Sequence, residues 1–189
     1  MTDVISYLHE SANVLERTAE YVQLEHIQRA VAAITSAIEH QRAVLVCGNG
    51  GSASDAMHIT GELVGRFRRD RRALKAICLC SNPAVLTAWA NDYSYETVFS
   101  RQIEAYGQAG GVLIALSTSG NSPNVVHAFE TARQLGIFTI ALTGEGGGKL
   151  APLSDVLLDV PTRSTPLVQQ IHICLYHFLC DKVEAHFAP

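Results

Sequence analysis

The chain has 189 residues, a length that suits one domain carrying an accessory helix or two rather than two domains. Charged residues make up 17% against 48% apolar, enough to bury a large core and a subunit interface as well. The net charge of −4 excludes a globally basic nucleic-acid binder. No apolar run approaches the ~18–20 residues needed to span a bilayer. The start, Met1-Thr2-Asp3 and then Glu10, lacks the basic and apolar stretches of a signal peptide. A cytoplasmic protein without membrane or nucleic-acid partners is expected.

Residues 3–40 contain no Gly or Pro. Val4, Ile5, Leu8, Val14 and Leu15, then Leu24, Ile27, Ala30, Val31, Ile34 and Ile38, recur at helical spacing. This predicts two helices with a break near Glu20–Leu24. From Arg42 the texture changes to short apolar runs at 43–47, 74–80, 111–116, 137–142 and 156–160, each separated by a segment long enough for a helix. Such strands predict a parallel sheet covered on both faces, an α/β fold in three layers, α/β/α, with five strands. Residues 166–187 predict a long closing helix through Leu167, Val168, Ile171, Leu175, Phe178, Leu179 and Val183. With no repeat or linker in view, 1–189 reads as a single domain, with 1–41 as a helical segment at its N-terminus.

Five cysteines, Cys47, Cys78, Cys80, Cys174 and Cys180, are odd in number, and most sit in apolar segments where a thiol packs as a small hydrophobe. A disulfide framework is not expected. Cys78 and Cys80 form a C-x-C in a strand-like run, with no second pair to complete a zinc site.

The first strand runs into Gly48-Asn49-Gly50-Gly51-Ser52 and then a helical pattern from Ala53 to Val64. A glycine-rich turn opening a helix lets backbone N–H groups approach an anion. It fits neither a Walker loop nor G-x-G-x-x-G, and a plain turn with Ser52 as N-cap accounts for it equally well. The third strand ends in a second such turn, Ser117-Thr118-Ser119-Gly120-Asn121-Ser122-Pro123, in which Ser122 can cap and Pro123 can open a helix. Two such turns at the carboxyl ends of strands in one sheet favour a phosphate-ester ligand over two ordinary capped loops.

In the first of these helices His58 and Glu62 stand at i and i+4, on one face, where they can share a proton, hold a divalent metal or form a surface contact. In the closing helix, at ~100° per residue, Gln169 and His177 lie about 80° apart and about 12 Å along the axis, so both side chains can lean to a common point; His172, about 140° from His177, cannot easily join them. Polar residues in a subunit interface explain these positions as well. The run Arg66, Arg68, Arg69, Arg71 and Arg72 suits a helix C-terminus or a solvated face, and Arg66, at i+4 from Glu62, is the one placed to contact a substrate. Asp92, in the break after residues 82–90, can accept hydrogen bonds from substrate hydroxyls or belong to a plain turn.

Taken together, CGNGGSASDAMHITGELVGRF (47–67), AND (90–92) with FSRQ (99–102), STSGNS (117–122), LTGEGGGKLA (142–151) and TPLVQQIHICLYHFLCD (165–181) resemble the sugar isomerase (SIS) family over nearly the whole chain. The similarity is greatest to the branch that isomerises seven-carbon sugar phosphates. The resemblance implies a five-stranded parallel sheet of flavodoxin-like strand order in a homotetramer with interfacial active sites. It implies interconversion of sedoheptulose 7-phosphate and D-glycero-D-manno-heptose 7-phosphate, toward heptose for lipopolysaccharide or related glycans. It further implies one Zn2+ per subunit held by His58, Glu62, Gln169 and His177, with Glu62 and His177 as the acid/base pair. Gly50, Gly51, Ser52, Ser117, Thr118, Ser119 and Ser122 match phosphate-binding positions, and Asn49 and Asp92 match positions that meet the sugar. Pro166 stands where some members carry an Asp, so that carboxylate's contribution is missing here.

Ketose–aldose exchange through an enediol needs a base at carbon, a proton carrier for the oxygens and a stabiliser of the oxyanion, which Glu62, His177 and zinc would supply. Members that serve as non-catalytic scaffolds, such as those binding the initiator DnaA, lack the full set of His58, Glu62 and His177, which favours an enzyme here. An isomerase for another sugar phosphate would use the same chemistry.

Overall fold

The computed structural model describes residues 3–189; Met1 and Thr2, on which part of the leader argument rests, lie outside that range. Two helices open the chain, α1 (Val4–Tyr21) and α2 (Leu24–Glu39), broken at Val22–Gln23 as the periodicity predicts. Asp3 caps α1 by accepting the Ser6 N–H at 2.8 Å. There follow β1 (Val44–Gly48), α3 (Gly51–Val64), β2 (Ala76–Cys78), α4 (Pro83–Asp92), α5 (Val98–Tyr106), β3 (Val112–Ser117), α6 (Pro123–Gln134), β4 (Phe138–Thr143), β5 (Val156–Asp159) and α7 (Thr165–Phe187). Short 3₁₀ turns occupy Tyr95–Thr97 and Gly148–Leu153.

The five strands pair in parallel in the order β2-β1-β3-β4-β5, with Val46 opposite Ile114 and Ile114 opposite Ile140 in register. Period-two alternation sends side chains to two separate layers. Val44, Val46, Ile114, Leu116, Ile140 and Leu142 join α2, α3 and α7. Leu45, Cys47, Leu113, Ala115 and Ala141 join α5 and α6 on the other face. Each fully buried aliphatic residue contributes about 1.5–3 kcal/mol relative to exposure. Because β1 continues to β2 on one side while β3 continues to β4 and β5 on the other, the chain diverges between β1 and β3. A crevice therefore opens at their carboxyl ends, the place where open α/β sheets bind ligands.

Helix α1 packs Val14 against Val160, Leu167, Val168 and Ile171, but leaves Val4 at 70%, Ile5 at 63% and Leu8 at 60% exposure. Among the described residues, no helix is long and apolar enough to cross a membrane.

Three local expectations need correction. Helix α3 begins at Gly51, not Ala53, and its N-cap is Gly50, at φ +57°, so Ser52 lies inside the first turn and is not the cap. Glycine alone tolerates that backbone without strain, which fixes the cap two residues earlier than a Ser rule suggests. Strand β2 spans only three residues, because the Ser81 N–H and hydroxyl both turn back to the Cys78 carbonyl and Asn82 caps α4. Asp92 is the last residue of α4 rather than part of a break. Ser122 does hold the N-cap position of α6 with Pro123 following, but its hydroxyl makes no capping bond.

Candidate active site

The β1–α3 turn is shaped by close approach. A Cβ at Gly48 would come within 2.6 Å of the Ser52 carbonyl oxygen, and one at Gly51 within 2.6 Å of Gln169 Nε2. Gln169, near the start of α7, thus lies against the first turn of α3. Ser52 is buried there.

The β3–α6 turn is built differently. Ser117 Oγ and Ser122 Oγ are 3.1 Å apart, which is where the Ser122 hydroxyl goes instead of capping. Ser119 Oγ accepts the Asn121 N–H at 3.2 Å, and Thr118 Oγ1 lies 3.4 Å from Thr165 Oγ1. Gly120, at φ +65°, packs so tightly on the Gly147 carbonyl that no Cβ fits. Thr118, Ser119, Asn121, Glu145, Arg163 and Thr165 line a cleft of about 500 Å³, a size typical of small-molecule sites.

The two turns are tied together by a pair absent from the sequence reading. Asn49 Nδ2 donates to Asn124 Oδ1 and Asn124 Nδ2 donates to Asn49 Oδ1, both at 2.9 Å, and the Tyr95 hydroxyl donates to Asn49 Oδ1 at 2.9 Å. Asn124, the second residue of α6, is buried. A lone Asn after a Ser-Pro start carries no periodic signal, so only the fold reveals this bridge.

Helices α3 and α7 bring His58, Glu62 and His177 together. His58 Nε2 is 3.0 Å from Glu62 Oε1 and 3.4 Å from His177 Nε2. One ligand atom from each residue lies within 4.8 Å of the others. An imidazole–carboxylate–imidazole set suits zinc or a similar borderline metal. Phe67 covers one side, its ring centroid 5.2 Å from that of His177. Burial, with His58 beside it, lowers the His177 pKa from its ordinary value, against the opposing pull of Glu62. His177 is therefore held toward the neutral form that can ligate a metal or accept a proton.

Behind the three donors stand two residues the sequence reading missed. The Tyr176 hydroxyl lies 3.0 Å from His58 Nδ1 and 3.3 Å from Asp55 Oδ1. Burial raises the Asp55 pKa, opposed by the Tyr176 bond and by His58, and burial with the Asp55 charge raises that of Tyr176. Asp55 sits at i−3 from His58, a spacing that offers a signal only once the neighbour on α7 is known.

Other residues singled out by sequence lie outside the His58–Glu62–His177 cluster. His172 is fully buried, donates Nε2–H to the Thr143 carbonyl at 3.1 Å, and is lowered to about 4 by burial. Arg66 is exposed and pairs with Asp70 at 3.3 Å. Asp92 is exposed and accepts a bond from Asn91 Nδ2 at 2.8 Å. The arginine run is not one surface: Arg69 turns to Asp181 at 2.8 Å, and Arg71 is buried beside Glu184 at 3.4 Å.

Comparison with known proteins bears on these features directly. The SIS domain family model matches residues 6–144. The chain belongs to the SIS domain family. The matched stretch holds both turns and the His58–Glu62 pair, and ends before α7. Relatives extend the likeness across it. The chain is 49% identical over 174 residues to a protein named phosphoheptose isomerase from Helicobacter pylori strain P12, covering 92% of this chain and 90% of that one. Its fold matches the solved phosphoheptose isomerase GmhA from Neisseria gonorrhoeae with a TM-score of 0.90 at 38% identity, over 96% and 97% of the two chains. A phosphoheptose isomerase from Francisella tularensis gives a TM-score of 0.92 at 35% identity over 96% of each chain.

Proposed function

We propose that this SIS-family chain is an aldose–ketose isomerase that interconverts sedoheptulose 7-phosphate and D-glycero-D-manno-heptose 7-phosphate, in the synthesis of heptose for lipopolysaccharide or related glycans. The observation that carries the proposal is the convergence of His58, Glu62 and His177 on one point, in a chain half identical to a phosphoheptose isomerase.

The substrate's phosphate rests in the turns that contain Gly50, Gly51, Ser52, Ser117, Thr118, Ser119 and Ser122, held by hydroxyls and backbone N–H groups. Asn49, fixed by Asn124 and Tyr95, and Asp92 meet the sugar hydroxyls. Glu62 removes the proton from one carbon and returns it to the next, while His177 moves protons at the two oxygens. Between them they turn the ketose into an enediol and the enediol into the aldose. His58, Glu62, His177 and Gln169 would hold one Zn2+, which would supply positive charge where negative charge builds up on the oxygens. A ligated carboxylate is a weaker base, so the proton-carrying roles of Glu62 and His177 would be strongest where neither is tied to the metal.

The whole chain, 1–189, acts as one SIS domain, in a cytoplasmic homotetramer whose sites lie at subunit interfaces. Support for that assembly comes from the uncovered apolar face of α1 and from Phe178 and Ile173, exposed on α7 beside it. Retention of His58, Glu62 and His177 together favours an enzyme over a scaffold.

The test is an NMR assay of sedoheptulose 7-phosphate with and without chelator. Conversion that is abolished by chelation and restored by zinc is the expected result, and no conversion by the metal-loaded protein would overturn the proposal. Glu62→Gln should abolish turnover while leaving phosphate-ester binding; retained turnover would remove Glu62 from its assigned role.

A further inference from the structure

Tyr176 is one of the largest fully buried side chains, set in the layer that contains Ile34, Ile59, Ile114, Leu179 and Val183. Its hydroxyl nevertheless has two partners, Asp55 Oδ1 at 3.3 Å and His58 Nδ1 at 3.0 Å. A phenol has one proton. The Asp55 carboxylate can only accept, so the Tyr176 O–H donates to it and offers His58 a lone pair. Nδ1 of His58 must then carry the imidazole's proton, which leaves a lone pair on Nε2.

That lone pair faces Glu62 Oε1 at 3.0 Å and His177 Nε2 at 3.4 Å. Left to itself, Glu62 would draw the His58 proton to Nε2, and an imidazole protonated there cannot ligate. With Nδ1 occupied, His58 Nε2 presents its lone pair beside the Glu62 carboxylate and within reach of His177 Nε2, an arrangement that suits a cation.

We propose that Asp55 and Tyr176 form an outer relay that holds His58 in its Nδ1–H tautomer, which makes Tyr176 a positioning residue for the His58–Glu62–His177 site. The consequence for metal binding rests on the zinc reading given above; the tautomer itself does not.

Tyr176→Phe removes the hydroxyl and keeps the ring that packs in the core, and Asp55→Leu, which removes the acceptor at similar volume, is a second route to the same break. The full-length protein, labelled with nitrogen-15 at histidine and freed of metal, is examined at about pH 8, where imidazoles are neutral. Zinc affinity is measured by competition with a chromophoric chelator, and thermal unfolding of the metal-free forms is followed in parallel. The wild type should show His58 as Nδ1–H, and Tyr176→Phe should move the proton to Nε2. Both variants should bind zinc about 10–100-fold more weakly. Nε2–H in the wild type, or zinc affinity in Tyr176→Phe within about twofold of wild type, would overturn the relay. So would a fall in thermal stability with tautomer and zinc affinity unchanged, the mark of a purely structural hydroxyl. If the wild type shows Nδ1–H, and Tyr176→Phe abolishes it, while zinc does not bind, the relay stands and the metal reading fails.

Discussion

Glu184 lies two turns beyond His177 on α7, only 1% exposed, and its carboxylate organises the arginine run. Oε1 accepts the Phe67 N–H at 2.8 Å, and Oε2 accepts those of Arg68 and Arg69 at 2.7 and 2.9 Å. The fully buried Arg71 side chain stands 3.4 Å away and also donates to the carbonyls of Glu62 at 2.6 Å and Gly65 at 2.8 Å, in the closing turn of α3. Glu184→Gln keeps the shape but removes the charge, and whichever way the amide turns, its NH2 opposes a backbone N–H donor. Breaking one side of a buried pair in this way costs about 3–5 kcal/mol. For a chain of this size, at about 2–4 °C per kcal/mol, the melting temperature should fall by roughly 6–20 °C. The assay is thermal and urea unfolding of both proteins at equal concentration. Burial pushes the Glu184 pKa up, but the three N–H groups and Arg71 outweigh it and leave the carboxyl below its ordinary value. A depressed carboxylate contributes its stability above the unfolded-state pKa and loses it as pH falls through the folded-state value. The gap between the two proteins should therefore be full at neutral pH and close below about pH 4. A neutral-pH loss under about 1 kcal/mol, or a gap that persists unchanged into acid, would mean that the Glu184 charge does not hold this turn.

Gly51→Ala places a Cβ 2.6 Å from Gln169 Nε2, the far end of a flexible side chain, so the fold should survive while displacement of that amide lowers kcat by about 10-fold or more. Unchanged kinetics would show that Gln169 takes no part. Asn124→Ala leaves Asn49 with Tyr95 as its remaining side-chain partner; about 1–3 kcal/mol of lost positioning should appear as a raised KM for the sugar phosphate in steady-state kinetics. Leu8→Asp puts a charge on the uncovered face of α1, where the protomer loses no core contact. Light scattering should report a smaller assembly, and an unchanged mass would exclude that face from the interface.

Strand runs such as GVLIAL and IFTIAL were legible because a strand buried on both faces must be apolar throughout, and β3 and β4 follow them closely. The run at 74–80 overstated β2, since an edge strand can end as soon as a side chain, here Ser81, captures its last carbonyl. Of the site, the i,i+4 pair on α3 was readable from spacing alone, and the glycine-rich and hydroxyl-rich turns stood out as candidates for an anion site. Tyr176, Asp55, Asn124 and Tyr95 were not readable, because each acquires its partner from an element distant in sequence.

The class of fold, the two strand-end turns and the separate candidates His58, Glu62, Gln169 and His177 are legible along the chain, because periodicity, turn chemistry and helical spacing are local properties. It takes the packed chain to bring His58 and His177, 119 residues apart, to 3.4 Å, and to turn two members of the arginine run inward to α7. A contact across helices depends on the register in which α3 packs against α7, and that register is set by the whole apolar layer between them and the sheet.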